Sequence, residues 1–251
     1  MKNQVDTAFY CGTSNVVIPV PSKALLPPEY HDKSRLQYYA SLLNSVEINS
    51  TFYRLPLART VEKWASEVHD QFRFTFKFSK TITHAKGLQY DIADIDRFLQ
   101  VVSMVGTKKG CILIQFPGSI KITSFHKVAQ VLDQIKSNAA SEGWRFAVEF
   151  RDKSWYCDEV YMMLEEFKMS IVIHDIPKAI TPLIDMEKGF VYLRFHGENG
   201  DYRGSYSDEF LEEQADYIRS WREEGLPVYA YFNNTMGSAI QNALKLGNLM
   251  I

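Results

Sequence analysis

Charged and amide side chains recur in this chain where β-strands should end. In Ser45-Val46-Glu47-Ile48-Asn49, Val46 and Ile48 share one face and leave Glu47 and Asn49 on the other. The same alternation sets Lys77 against Phe74, Phe76 and Phe78, and Glu149 with Arg151 against Phe146, Val148 and Phe150. It also sets Arg194 with His196 against Val191, Leu193 and Phe195. Gln115 and Asp175 close two further apolar runs, and Tyr229, Tyr231 and Asn233 share a face of the last. An unpaired buried charge is strongly unfavourable, so a cluster of this size is either a structural ion-pair network or an active site.

Read as an active site, Glu149 is the candidate general acid or base, since burial and adjacent cations move a carboxyl pKa, and Glu47 is its partner. Two carboxylates suit hydrolysis or proton abstraction, with their separation deciding which. His196 is a candidate second acid–base group, and Asp175 is counted separately among the catalytic candidates. Lys77, Arg151 and Arg194 would hold an anion; Gln115, Asn49, Asn233 and Asn234 would hydrogen-bond it; Tyr53, Trp155, Tyr202 and Tyr206 would wall the pocket. A glycine-rich loop over 197–206, carrying Arg203, and the Asn233-Asn234-Thr235-Met236-Gly237 stretch at a helix start mark a place for phosphate. Glu47, Glu149, Asp175 and His196 are also conceivable ligands for a divalent metal. Three cations on neighbouring strands already neutralise those carboxylates, so neither metal nor cofactor is predicted. The chain has no H-E-x-x-H, Walker A, G-x-G-x-x-G or G-x-S-x-G motif.

The elements that must position these groups are short β-branched and aromatic runs at 9–13, 45–49, 73–78, 111–116, 146–150, 171–175, 190–196 and 228–233. Amphipathic helical patterns cover 33–43, 60–68, 95–105, 124–137, 158–167, 208–223 and 238–249, while the crossover over 176–188 holds two prolines and little or no helix. Strand–helix alternation over a chain of 251 residues predicts an α/β protein, a single (β/α)8 TIM-like barrel spanning residues 1–251, with an open doubly-wound sheet as the rival. In such a barrel the chemistry belongs at the C-terminal ends of the strands, where the polar residues fall.

Composition narrows the function classes. A net charge of −2 gives no global attraction to nucleic acid or an anionic membrane, and Lys108-Lys109 between two glycines reads as a solvated turn. Three dispersed cysteines argue for a reducing compartment and against a zinc ribbon. No stretch reads as a signal peptide or a membrane span, so a cytoplasmic protein with no membrane partner is expected.

The strand-end motifs also carry a resemblance. They run Cys11-Gly12-Thr13-Ser14, then Val46-Glu47-Ile48-Asn49-Ser50-Thr51-Phe52-Tyr53-Arg54-Leu55-Pro56, Trp64, Lys77, Thr83-His84 and Gln115-Phe116-Pro117. They continue through Ala147-Val148-Glu149-Phe150-Arg151 with Ser154-Trp155, Asp175-Ile176-Pro177, Arg194-Phe195-His196-Gly197 with Tyr202 and Tyr206, and Phe232-Asn233-Asn234-Thr235 leading to Asn242-Ala243. Over almost its whole length the chain resembles the domain of unknown function 72 family, also called YecE-like. The resemblance implies a TIM-like barrel and no particular reaction. The chain departs from the family pattern after Ser14, where Asn15-Val16-Val17-Ile18-Pro19 replaces an aromatic-rich stretch, so a ligand contact by that loop is not carried over.

Two functions follow as expectations. The first is an enzyme with hydrolase-like acid–base chemistry on a small polar, anionic substrate, such as a phosphorylated sugar or a nucleotide-derived metabolite. The alternative is a non-catalytic binding module for single-stranded nucleic acid or a protein, using the same polar mouth and its aromatic side chains.

Overall fold

The computed structural model describes residues 8–183 and 189–250. Eight parallel strands appear in chain order: β1 (Phe9–Thr13), β2 (Ser45–Ile48), β3 (Arg73–Lys77), β4 (Lys109–Phe116), β5 (Arg145–Phe150), β6 (Ser170–His174), β7 (Val191–Phe195) and β8 (Val228–Phe232). The helices among them are α1 (Arg35–Leu42), α2 (Ala58–Ser66), α3 (Lys80–Thr83), α4 (Ile92–Val102), α5 (Phe125–Lys136), α6 (Asp158–Glu166), α7 (Asp208–Glu223) and α8 (Ala239–Asn248). From β2 to β8 each strand pairs with its sequence neighbour, and β1 pairs with β8, with Phe9 opposite Val228 and Thr13 opposite Phe232. This is a nearly closed TIM-like barrel rather than an open sheet.

Alternation along the strands builds two cores. Val46, Phe74, Phe76, Ile112, Ile114, Phe146, Val148, Val191 and Phe232 point outward and bury against the helices. Inside the barrel a second cluster forms from Cys111, Leu113, Ala147, Val172, Phe190, Tyr192, Tyr229 and Tyr231. Its tyrosines are satisfied within the barrel: Tyr231 Oη lies 2.6 Å from Ser45 Oγ and 2.7 Å from Thr75 Oγ1. Above this plug, toward the C-terminal strand ends, the buried side chains include Glu47, Glu149, Arg194 and His196.

The seam between β1 and β2 is closed mainly by side chains. The strands share one parallel bridge, Ser14 with Glu47, where the Asn15 N–H donates to the Glu47 carbonyl at 2.6 Å. Below it, Cys11 N–H donates to Asn44 Oδ1 at 2.9 Å, Asn44 Nδ2 donates to the Phe9 carbonyl at 2.8 Å, and Tyr39 Oη accepts from Thr13 N–H at 2.7 Å while donating to the Ser45 carbonyl at 2.9 Å. These groups satisfy backbone donors and acceptors that a regular ladder would otherwise pair. The approach requires Gly12, because a β-carbon there would lie 2.1 Å from the Ser45 carbonyl oxygen.

Capping accounts for several helix starts. Ser34 and Gln37 form a reciprocal capping box at α1, and the Asp91 and Ser207 side chains accept from the first turns of α4 and α7. The four-residue α3, capped by Ser79, was not expected because one turn is too short to show periodicity. Lys108 corrects the expectation of a solvated turn: it is 9% exposed and donates to the Ala65 and Val68 carbonyls at 2.8 and 2.6 Å, closing the C-terminal end of α2. The crossover after β6 holds only a short 3₁₀ turn, Pro177–Ala179, and its residues 184–188 lie outside the described residues. Among the described residues no helix is long and apolar enough to cross a membrane.

Candidate active site

Four charged or titratable side chains buried at the C-terminal ends of β2, β5 and β7 form one continuous network. Arg194 is its centre: Nε and Nη2 donate to Glu47 Oε2 and Oε1 at 2.9 and 2.8 Å, while Nη1 donates to Glu149 Oε2 at 2.6 Å. Glu149 also accepts from Arg151 Nε, and Glu47 accepts from Ser14 Oγ and Tyr192 Oη, each at 2.6 Å. Glu47, Glu149, Arg194 and His196 are all 0% exposed. Burial by itself would raise the carboxyl pKa values. The Arg194 charge and the hydrogen bonds from Arg194, Ser14 and Tyr192 outweigh it at Glu47, and the Arg151 and Arg194 charges outweigh it at Glu149, so both remain ionised well into the acid range.

This geometry leaves the carboxylates little freedom to move protons. Glu47 has four donors and no path to solvent, and both oxygens of Glu149 face guanidinium groups. Each carboxylate is thus the counter-charge of the guanidinium groups it accepts from.

His196 stands over the network on a different footing. Its Nδ1 lies 3.0 Å from Asp175 Oδ1, an acceptor, so Nδ1 carries the hydrogen and Nε2 keeps its lone pair. That lone pair accepts from Arg151 Nη2 and Arg194 Nη1, both at 3.1 Å. Burial, only partly opposed by Asp175, pushes its pKa down to about 4, so the ring is neutral at physiological pH. Asp175 also receives the Tyr206 hydroxyl, which in turn accepts from the Gly197 N–H at 2.6 Å. Tyr206 is thus buried support for Asp175 rather than a pocket wall.

Above this floor the rim is partly open. Lys77 is half-buried with Nζ 4.4 Å from the centre of the Phe52 ring, and among the described residues it has no hydrogen-bond acceptor or ion-pair partner. Burial, and then the Arg194 charge, lower its pKa to about 8. Arg151 Nη1 likewise lacks an acceptor among the described residues. Asn49, Gln115 and Asn233 lie at the C-terminal ends of β2, β4 and β8: Gln115 is paired in register with Glu149, and Asn49 Oδ1 is buried without a hydrogen-bond partner among the described residues. Tyr202 adopts φ +67, a conformation an L-residue other than glycine rarely holds, and its ring meets His196 edge-on at 5.7 Å.

Other expected site residues fall elsewhere. Trp155 is fully buried, stacked 4.3 Å from Phe150 with Nε1 donating to the Ile120 carbonyl at 2.7 Å, so it belongs to the outer core. Tyr53 is 70% exposed and faces Lys80, not the buried network. Arg203 is exposed, and its backbone together with Gly204 fills the space before α8: the Gly204 carbonyl accepts from Ser238 N–H at 2.9 Å and from Asn234 Nδ2 at 3.1 Å. A β-carbon at Gly237 would stand 2.2 Å from that same oxygen. The two loops interlock, and the expected phosphate cradle at this helix start is occupied by protein. Among the described residues no three His, Cys, Asp or Glu side chains converge as metal ligands.

Four residues join the site without having been singled out. Ser14, Tyr192 and His174 share the inward parity of their strands, and strict alternation selects His174, not Asp175, as the inward end of β6. His174 is 3% exposed, donates through Nε2 to the Phe150 carbonyl at 2.9 Å and accepts from Ile176 N–H at 3.2 Å. Asp175 reaches His196 because β6 ends at His174 and the chain turns inward. His84, placed by the short α3, packs edge-on against Phe52 at 4.8 Å. The thiols of Cys11 and Cys111 are buried, and burial pushes their pKa values upward, away from the thiolate form.

The barrel has solved counterparts. A DUF72 family protein from Thermotoga maritima MSB8 superimposes with a TM-score of 0.76 at 25% identity, covering 97% of this chain and 99% of the other. One from Enterococcus faecalis V583 gives 0.76 at 21% identity, with 97% of each chain covered. In sequence the chain is 25% identical to UPF0759 protein YunF of Bacillus subtilis over 90% of both chains. It is 29% identical to UPF0759 protein YecE of Escherichia coli K12 over 48% of this chain and 43% of that protein. The model of the family described as "Protein of unknown function DUF72" matches residues 10–251, and the chain belongs to that family.

Proposed function

We propose that the C-terminal mouth of this barrel binds a small anionic metabolite and carries out proton-transfer chemistry on it. The observation that carries this reading is the Lys77 amine, unpartnered among the described residues and set with the outer edge of Arg151 above a floor whose carboxylates are already committed to Arg194 and Arg151. A half-buried ammonium without a counter-ion is unfavourable, and an incoming carboxylate or phosphate would supply one. Arg194, locked from both sides, fixes the field and the geometry.

Hydrolysis by a Glu47–Glu149 pair does not fit, because neither carboxylate is free to activate water or protonate a leaving group. The Asp175–His196 dyad is the better proton-handling group: when Arg151 turns to an anion, His196 Nε2 loses one of its two donors, and a substrate proton competes only with the 3.1 Å contact from Arg194 Nη1.

Thermal shift against phosphate esters, small carboxylates, sugars and short oligonucleotides tests the reading. An anion at a hundred times its dissociation constant adds about 2.7 kcal/mol, or roughly 5–10 °C for a chain of this size. Lys77→Met and Arg151→Met should each weaken that binding about tenfold or more. A shift from oligonucleotides alone, falling steeply with salt, would replace this reading with the binding module.

A further inference from the structure

Lys108 is buried and Lys77 half-buried, and the two are treated differently. Lys108 donates to two helix-end carbonyls and lies 3.6 Å from Asp70. Lys77 meets an aromatic face. The charges that act on it are Arg194 on β7, Glu149 and Arg151 at the end of β5, and Glu47 on β2, and each of these is already engaged within the buried network. A desolvated amine beside fixed cations is the environment that yields a free, nucleophilic lysine at neutral pH. His84 shares the Phe52 ring with Lys77. Thr83 Oγ1 donates to the Ser79 carbonyl at 3.2 Å and so accepts from His84 Nδ1 at 2.9 Å, leaving His84 Nε2 with a free lone pair. Burial and the Lys77 charge hold that imidazole neutral, with a pKa of about 4.

We propose that Lys77 is a covalent nucleophile, forming a Schiff base with the carbonyl carbon of a small anion that carries an aldehyde or ketone group, its anionic end lying against Arg151. The inference rests on the anion-binding reading above and adds the reacting group. The neutral Nζ attacks the carbonyl carbon, a C–N bond forms, and the carbonyl π pair moves to oxygen, which takes a proton to give a carbinolamine. The C–O bond then breaks, and the two amine hydrogens leave formally with that oxygen as water, so that amine and carbonyl become imine and water with no oxidant or reductant. A protonated imine withdraws electrons from the adjacent carbon, which suits removal of a proton or cleavage of a bond there by the neighbouring base.

The test is reductive trapping. The purified protein is incubated with glyoxylate, pyruvate or dihydroxyacetone phosphate, each with sodium cyanoborohydride, which delivers hydride to the imine carbon and leaves a stable secondary amine. Intact mass and peptide mapping should show one adduct per chain, on Lys77, formed at least about tenfold faster than on any other lysine, as its pKa implies. The carboxylate and phosphate probes report which anion the mouth prefers. Binding of the same compounds is measured by calorimetry without reductant. Lys77→Arg keeps the cation and should keep binding while losing the adduct, which separates a nucleophile from a counter-ion. Binding without trapping, or adducts spread evenly over surface lysines, overturns the covalent role and leaves the anion site standing. Failure of every probe to bind overturns both.

Discussion

Replacing Arg194 with Met removes the guanidinium that hydrogen-bonds both Glu47 and Glu149. Glu149 would retain Arg151, but Glu47 would keep only the hydroxyls of Ser14 and Tyr192, with no exposed surface through which to recover solvation. Breaking a buried ion pair from one side costs about 3–5 kcal/mol, which for a chain of this size is a fall in Tm of roughly 6–20 °C. The pH dependence gives the sharper signature. In the native protein both carboxyls titrate below their unfolded values, so their stabilisation is full above the ordinary carboxylate range and is lost as pH falls through the folded pKa. In the variant, burial acts on Glu47 without Arg194 to oppose it, and its folded pKa rises above the unfolded one. The variant is then penalised most at neutral pH and recovers relative to the native protein on acidification. Differential scanning calorimetry from about pH 8 to about pH 5 should therefore show the gap narrowing, and adding Glu47→Gln to the variant should restore part of the loss at neutral pH. A variant within about 2 °C of the native protein at neutral pH, or a gap that stays constant with pH, would refute the view that Arg194 is held by, and holds, two ionised carboxylates.

Three further outcomes test the framework around the site. Gly12→Ala places a methyl group 2.1 Å from the Ser45 carbonyl and should destabilise the barrel by about 1–3 kcal/mol or more, read from denaturant unfolding; a neutral result would show that the β1–β2 seam can open at no cost. Tyr39→Phe leaves the Thr13 N–H and the Ser45 carbonyl without their bridging hydroxyl and should cost about 1–3 kcal/mol, accompanied by faster amide exchange at Thr13. His196 has a folded pKa below the unfolded imidazole value, so the unfolded state binds the extra proton first and stability falls as pH drops from about 6.5 toward about 4. His196→Gln should flatten that acid slope by up to about 1.4 kcal/mol per pH unit, and an unchanged slope would remove His196 as a buried neutral imidazole.

Much of the architecture was legible from local pattern. Strict alternation in strands such as Val46-Glu47-Ile48 and Val191–Phe195 encodes which face is buried, because a strand's two faces are set by a period of two that does not depend on the rest of the fold. The same periodicity brought Glu47, Glu149, Arg194 and His196 to one end of the barrel, where they do meet. The seam at β1 and β2 was not legible, since Asn44 and Tyr39 replace ladder bonds through contacts that no spacing rule describes. Nor was Trp155 separable from a pocket residue, because an aromatic beside a strand end can turn either inward or onto the outer core.

What the sequence determined by itself was the element order, the inward parity and the inventory of charges at the strand ends. Only the tertiary structure decided how those charges are shared. Hydrogen-bond geometry consumes Glu47 and Glu149 on Arg194 and Arg151, a turn after β6 delivers Asp175 to His196, and the amine of Lys77 is left over an aromatic ring. Which of these charges pair depends on distances of a few tenths of an ångström between strands far apart in the chain, and a one-dimensional pattern carries no such distances.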